Sequence, residues 1–235
     1  MTLAPSAPPP GHDGHPARAS GRIPWRRSPV PQGQWSNSCH RDTQIVMKTG
    51  QATSSKEEIV AELFRLFRCG GYEGVSVGDI SKATGLGKSS LYHHFPGGKS
   101  DMAAAVVAFA RDWIGTHILA PLEDEGRPLD ARVDAMLDAA RQLYGGGTSP
   151  CLVASMMVTA DGKPADDKVG KILGDWIAAI SSALQQNGIG KQKADTRATN
   201  ALISIEGALL IARATGRIEV FESALEETRD SLLAP

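Results

Sequence analysis

The chain has 235 residues, 22% of them charged, and a formal net charge of −1, so it is long enough for one or two domains with a sizeable core. No apolar run reaches about 18 residues and the N-terminus lacks the apolar stretch of a secretory signal, which speaks against a membrane protein or an exported one. The three cysteines form no Cys-x-x-Cys pair, a pattern that predicts a reducing compartment without a disulfide framework or a zinc site. Cys69 and Cys151 are expected to be buried and inert, although a thiol sensor stays open.

Residues 1–53 form an extension rich in Pro, Gly and Arg, with eight of the fourteen prolines before position 32 and six basic residues against two acidic ones. Such a segment has too few apolar residues to offset chain entropy, so we expect it to be disordered. Its charge could add sequence-independent affinity for nucleic acid, or it could be a tail without a specific role. Met47 leaves open a third possibility, that residues 1–46 come from an over-long translated start.

The sequence pattern of residues 54–101 predicts three short helices. Ser55 and Glu58 have the spacing of a capping box, and the apolar residues that follow recur at helical spacing up to Gly70-Gly71. A second helix is predicted to begin at Ser76, with Asp79 three residues on, and to end at Gly85. The third runs from about Lys88 to His94, with Leu91 and Phe95 facing the core, and the pair forms a helix-turn-helix unit.

The tripeptide Gly-Lys-Ser occurs twice here, at residues 87–89 and 98–100, which raises the question of a phosphate loop. That loop needs a further glycine five residues earlier and a buried strand before it. Lys82 and His93 occupy the two positions in question, so an NTPase is excluded on spacing. From Lys82 to Lys99 the segment instead contains no carboxylate, which suits phosphate contact, although charge alone favours an ordinary solvated face.

The run VSVGDISKATGLGKSSLYHHFPGGKSDM resembles the DNA-binding domain of the TetR family of transcriptional repressors, over about 54–105. The resemblance implies that Ser76 touches phosphate, that the third helix faces the major groove, that His94 caps or faces phosphate, and that Lys99 reaches the DNA backbone. The turn Pro96-Gly97-Gly98 is one residue longer than in many members and is similar to a subset with multidrug-type effectors, including lincomycin-resistance repressors. The implied DNA-binding residues are Ser76, Lys88, Ser89, Ser90, Tyr92, His93, His94 and Lys99. The adjacent histidines are unsuited to a metal site, since neighbours on a helix diverge by about 100° and no third ligand is near.

Residues 102–235 continue as helices, at about 100–119, 129–144, 150–160, 166–187, 192–215 and 218–233, so the predicted fold class is all-α, with a helix-turn-helix domain followed by a larger helical domain. The family resemblance implies that this second domain binds a small-molecule effector and dimerises. A stripe of small and aliphatic residues is the candidate dimer face, unless it packs only inside the monomer; it comprises Ala201, Leu202, Ile205, Ala208, Leu209 and Ala212. The two helices from 192 to 233 would then form a four-helix bundle with a second subunit.

Candidate effector-binding residues are Met, aromatic and polar side chains that suit adaptable apolar sites, although such residues are more often plain core. They are Phe109, Trp113, Cys151, Met156, Met157, Trp176 and Glu206. A buried Glu206 could pair with a cationic effector, pair with Arg213, or lie at the dimer interface.

Together these features predict a cytoplasmic, homodimeric repressor that binds a palindromic double-stranded DNA operator and is released by a small molecule, without a metal or cofactor and without a membrane partner. Two other functions stay open. One is a helical ligand-binding or enzymatic protein with a vestigial helix-turn-helix, against which stands the lack of a nucleophile–base pair in the sequence. The other is a non-specific DNA binder that relies on the basic extension.

Overall fold

The computed structural model describes residues 56–157 and 164–235, and these residues form helices without any strand. The predicted tail and the Ser55 end of the first capping box lie outside the described residues. The helices are α1 (Lys56–Gly74), α2 (Val77–Thr84), α3 (Lys88–His94), α4 (Lys99–Ile114), α5 (Ala120–Glu123), α6 (Leu129–Leu143), α7 (Leu152–Met156), α8 (Val169–Gln186), α9 (Lys191–Thr215) and α10 (Glu219–Leu233).

Helices α1 to α3 form a small unit around an apolar core. Regular helix in α1 stops at Gly71, whose φ of 70° and ψ of 169° suit glycine because it lacks a Cβ. Helix α2 ends at Gly85 in the left-handed conformation, as expected for a glycine C-cap. Leu91 and Phe95 are buried, which confirms the predicted inner face of α3.

Helix α4 continues through a π-helical segment, Gly115–Leu119, into α5. The side chains of Thr116 and His117 bond the main-chain oxygens of Asp112 and Trp113 one turn earlier. They thereby compete with main-chain N–H groups for these carbonyls at the start of the π-helical segment. By length and composition the run Lys99–Glu123 could cross a membrane. Met102, Val106 and other residues of this run are packed in the core, which is how the core helix of a helical domain also behaves.

The remaining helices pack around this run. Helix α9 lies between α8 and α10, and α6 packs on α5 and α10. Buried Arg132 holds α6 to the end of α5, since its guanidinium donates to the Leu122 carbonyl and to Gln186 Oε1. Arg229 on α10 bonds Asp134 on α6 at 2.5 Å.

Three sequence expectations need correction here. The six residues of the small-and-aliphatic stripe on α9 are all buried within the chain, because α8 and α10 cover that side of the helix, so the stripe packs inside the monomer. Cys69 is exposed and disulfide-bonded, whereas the sequence predicts a buried inert thiol. The helix predicted at 150–160 is shorter, since α7 ends at Met156.

Candidate functional site

The start of α2 is fixed by a reciprocal cap between two of its own residues. The Asp79 main-chain N–H donates to Ser76 Oγ at 3.1 Å, and the Ser76 N–H donates to Asp79 Oδ2 at 3.0 Å. The Ser76 hydroxyl also donates to Asp79 Oδ2 at 2.6 Å, and these bonds lower the pKa of the Asp79 carboxyl. Ser76 therefore lies at the surface where the sequence placed it, but a phosphate would compete with Asp79 for its hydroxyl.

Helix α3 presents a continuous polar face to solvent. Lys88, Ser89, Ser90 and His93 are exposed, His94 is half-buried, and 48% of Tyr92 is exposed. Hydroxyl, ammonium and imidazole groups on one short helix are the donors and acceptors that bond base edges and phosphates. Six of the predicted DNA-binding residues thus lie on the part of α3 that Leu91 and Phe95 leave outside the core.

The turn after α3 passes close to the ring of Tyr92. Gly98 has a φ of 68°, and a Cβ there would lie 3.2 Å from Tyr92 Cε1. The Gly98 N–H donates to the Phe95 carbonyl at 2.8 Å, and the Gly97 N–H donates to Asp101 Oδ2 at 2.6 Å. Lys99 follows at the start of α4, where its ammonium packs on the Tyr72 ring, 4.4 Å from the centroid.

The adjacent histidine rings have centroids 5.8 Å apart. Within the described residues, no group of three or more His, Cys, Asp or Glu side chains has metal-binding geometry.

A small cavity lies behind the helix-turn-helix unit, where α1, α4, α7 and α8 meet. Its volume is about 20 Å³, room for about one water molecule, and its walls are mainly apolar. The lining residues are Phe64, Arg68, Ala110, Ile114, Leu143, Tyr144, Cys151, Leu152, Val153, Ile172, Leu173 and Trp176.

Two predicted effector-binding residues, Cys151 and Trp176, line this cavity, and the others are elsewhere. Phe109 packs edge-on against Phe64 with ring centroids 5.5 Å apart. Trp113 stacks on His117 at 4.4 Å. Met156 is buried in the core, while 38% of Met157 is exposed.

Arg68, which the sequence analysis overlooked, joins the cavity to α1. Its side chain is 5% exposed, and its guanidinium donates to the carbonyls of Pro150, at 2.5 Å, and Leu143. Ser155 Oγ on α7 donates in return to the Arg68 carbonyl at 2.8 Å. The sequence signal for this role is an arginine on an apolar helix face, next to Phe64 and Phe67. A guanidinium buried on such a face needs fixed hydrogen-bond acceptors.

Glu206, on α9, is half-buried and accepts a hydrogen bond of 2.6 Å from Tyr144 Oη. It also shares a side-chain hydrogen bond with Cys151. Burial raises the pKa of Glu206, and burial beside this carboxyl raises the pKa of Tyr144 well above its usual value. Among the described residues, the side chains that bond the Glu206 carboxyl are those of Tyr144 and Cys151.

The Cys151 thiol is expected to resist alkylation in the folded protein. Burial, then Glu206, raise its pKa from 9.0 to about 12, which lowers the thiolate fraction near neutral pH by about a thousandfold. Treatment with iodoacetamide at pH 7.5, followed by peptide mass spectrometry, measures this directly. The guanidinium-unfolded chain is the control, and labelling of Cys151 at the same rate in both states would contradict the prediction.

Comparison with known proteins agrees with both halves of this architecture. The family model "Bacterial regulatory proteins, tetR family" matches residues 59–106, and the model "Transcriptional regulator LmrA/YxaF-like, C-terminal domain" matches residues 128–227. The HTH-type transcriptional regulator LmrA of Bacillus subtilis is 26% identical over 164 residues, which cover 67% of this chain and 86% of that protein. An uncharacterized HTH-type regulator of Mycobacterium tuberculosis is 25% identical over 188 residues, 76% of this chain and 94% of that one.

Among solved structures, a TetR transcriptional regulator from Legionella pneumophila superposes with a TM-score of 0.69 at 23% identity, covering 77% of this chain and 98% of that chain. This likeness concerns the fold, and it agrees with a helix-turn-helix unit followed by a larger helical domain. The proteins named in these comparisons are transcriptional regulators and not enzymes. The chain is therefore a transcriptional regulator of the TetR family, with a C-terminal domain of the LmrA/YxaF-like type.

Proposed function

We propose that this regulator is a repressor that binds a palindromic operator as a homodimer in the cytoplasm and leaves it when a small molecule enters the cavity. The observation that carries the proposal is the exposed polar face of α3, held by the buried pair Leu91 and Phe95. Two such helices, one from each subunit, would enter successive major grooves roughly 34–36 Å apart.

A different face of α9 from the predicted stripe supports dimerisation. Ile203 is 64% exposed, Leu210 68% and Ile211 51%, and Gly207 lies between them at helical spacing. Residues four, seven and eight positions after Ile203 share its side of the helix. Large apolar side chains in one exposed row on a long helix suit a second copy of the same row, related by a two-fold axis.

The position of the cavity supports control by an effector. Phe64 and Arg68 of α1 form one wall of it, and α1 also packs on α2, which precedes the reading helix. A ligand that widens the cavity must displace at least one of the helices that line it, and α1 is one of these helices. Such a ligand lowers operator affinity only to the extent that it binds the displaced arrangement more tightly.

Fluorescence anisotropy tests the proposal. DNA from the intergenic region beside the gene and a scrambled duplex are titrated in parallel at one near-physiological salt concentration. We expect a preference of about a thousandfold or more for one site, kept when residues 1–46 are deleted. Equal, weak and salt-sensitive binding to tiled genomic duplexes would instead support the non-specific binder.

Replacing Tyr92 by alanine is expected to weaken specific operator binding by about 1–3 kcal/mol. The ring stands on the exposed face of α3 and its removal leaves the buried pair untouched. Binding to the scrambled duplex should change much less, because phosphate contacts do not depend on sequence. The Tyr92→Phe variant distinguishes the contribution of the ring from that of the hydroxyl. Unchanged operator affinity in Tyr92→Ala would refute the assignment of α3 as the DNA-reading helix.

A further inference from the structure

One residue that lines the cavity has a buried hydrogen-bond donor without an acceptor. Trp176 on α8 lines the cavity and is 0% exposed. Its indole Nε1 has no hydrogen-bond partner among the described residues. Buried Trp N–H groups usually have a hydrogen-bond partner. An unpaired N–H beside a cavity is therefore a position where a ligand can supply the missing acceptor.

The other polar groups near the cavity are already engaged with each other. The Tyr144 hydroxyl donates to Glu206, and the Cys151 thiol also shares a hydrogen bond with Glu206. The Arg68 guanidinium donates to two main-chain carbonyls. A charged ligand would have to break one of these interactions to gain an ion pair, and the apolar walls would offer it no other compensation.

The size and lining of the site restrict the ligand further. The cavity has a volume of only about 20 Å³, room for about one water molecule, so a larger ligand can enter only if the walls separate. Phe64, Ile172 and Leu173 make the walls apolar. A small molecule with a mostly apolar body fits these walls once they separate.

We infer that the effector is a small, uncharged and mainly apolar molecule that carries one hydrogen-bond acceptor, such as a carbonyl oxygen, which accepts from Trp176 Nε1–H. This inference rests on the proposed control by a small molecule and specifies the chemistry of that molecule. A cationic effector paired with Glu206 is a different hypothesis, and we do not favour it because the Glu206 carboxyl is already hydrogen-bonded to Tyr144 and Cys151.

A pair of probes with the same shape tests the inference on the full chain without DNA. 4-Fluoroacetophenone has a carbonyl where 4-fluoro-α-methylstyrene has a methylene, and ¹⁹F NMR titration measures the affinity of each. We expect the ketone to bind about tenfold more tightly than the olefin. In Trp176→Phe, which keeps an aromatic ring but loses the N–H, the two probes should bind equally.

Equal affinity of the two probes for the natural chain, binding of neither, or a ketone preference that survives in Trp176→Phe would each overturn the inference. Tighter binding of benzyltrimethylammonium than of the ketone would overturn it in favour of a cationic ligand.

A second measurement does not depend on the folding of the variant. In the ¹⁵N-labelled natural chain, the ketone should shift the Trp176 indole N–H resonance and the olefin should not; the resonance is assigned by replacing each of the other three tryptophans. A Trp176 resonance that responds alike to both probes would contradict the inference. Operator anisotropy is measured separately, so a failure to bind DNA is distinguishable from a wrong ligand class.

Discussion

Replacement of Arg68 by methionine is expected to lower the free energy of unfolding by about 2–5 kcal/mol. The variant keeps a flexible apolar stem but leaves the Leu143 and Pro150 carbonyls without their donor. Each buried polar group that loses its partner costs about 1–3 kcal/mol. The Arg68→Met substitution also removes the cation that favours the charged form of Glu206.

Urea unfolding followed by circular dichroism measures this change, and Arg65→Met is the matched control. Arg65 lies three residues earlier on α1 and pairs with Glu62 across a partly exposed surface, so its loss should cost less than about 1 kcal/mol. Equal losses in the two variants would show that Arg68 does not hold α1 to the cavity wall. We further expect Arg68→Met to bind operator more weakly than Arg65→Met at temperatures where both are folded.

Replacement of Leu210 by glutamate is expected to raise the dissociation constant of the dimer by about a thousandfold. Leu210 is the most exposed of the large apolar side chains on α9. Because a two-fold axis relates the subunits, the interface would contain two copies of the substitution, one from each subunit. An unpaired carboxylate is expensive to bury, and a loss of about 4 kcal/mol corresponds to this factor.

Sedimentation velocity over a range of concentrations distinguishes monomer from dimer, and circular dichroism checks that the monomer stays helical. Ala108→Glu on α4 is the control, because Ala108 is also exposed but lies outside the α9 row. Operator affinity should fall with dimerisation, since a monomer reads one half-site. A Leu210→Glu protein that remains dimeric would place the interface on another surface.

The sequence predicts the helix-turn-helix unit well because its signals are local. A serine and an aspartate three residues apart start α2, glycines end α1 and α2, and Leu91 with Phe95 orients α3. All of these act within one or two turns of the chain. They need no knowledge of what packs against the unit.

The face of α9 illustrates what local signals miss. A stripe of small residues at three-four spacing looks the same whether it packs on its own chain or on a second copy. Here α8 and α10 cover Ala201, Ile205 and Ala208, and the row around Leu210 is left outside. The sequence of α9 is apolar on more than one side, so only the neighbouring helices decide which row is free.

Arg68 and the candidate effector residues depend in the same way on distant segments. Arg68 meets carbonyls 75 and 82 positions away in the chain, and no pattern in α1 indicates them. Phe109 and Trp113 have the residue types of a ligand site but pack on Phe64 and His117. Cys151 and Trp176 reach the cavity because α7 and α8 converge there.

The two walls of the cavity differ in how freely they can change during evolution. A substitution at Arg68 removes interactions that hold the protein together, and a domain with about 5–15 kcal/mol of stability tolerates few such losses. Ile172 and Leu173 on the opposite wall are plain apolar residues, where volume-conserving swaps usually cost less than about 1.5 kcal/mol. Descendants of this protein that acquire new inducers should therefore differ on α8 first, while the arginine on α1 is inherited unchanged.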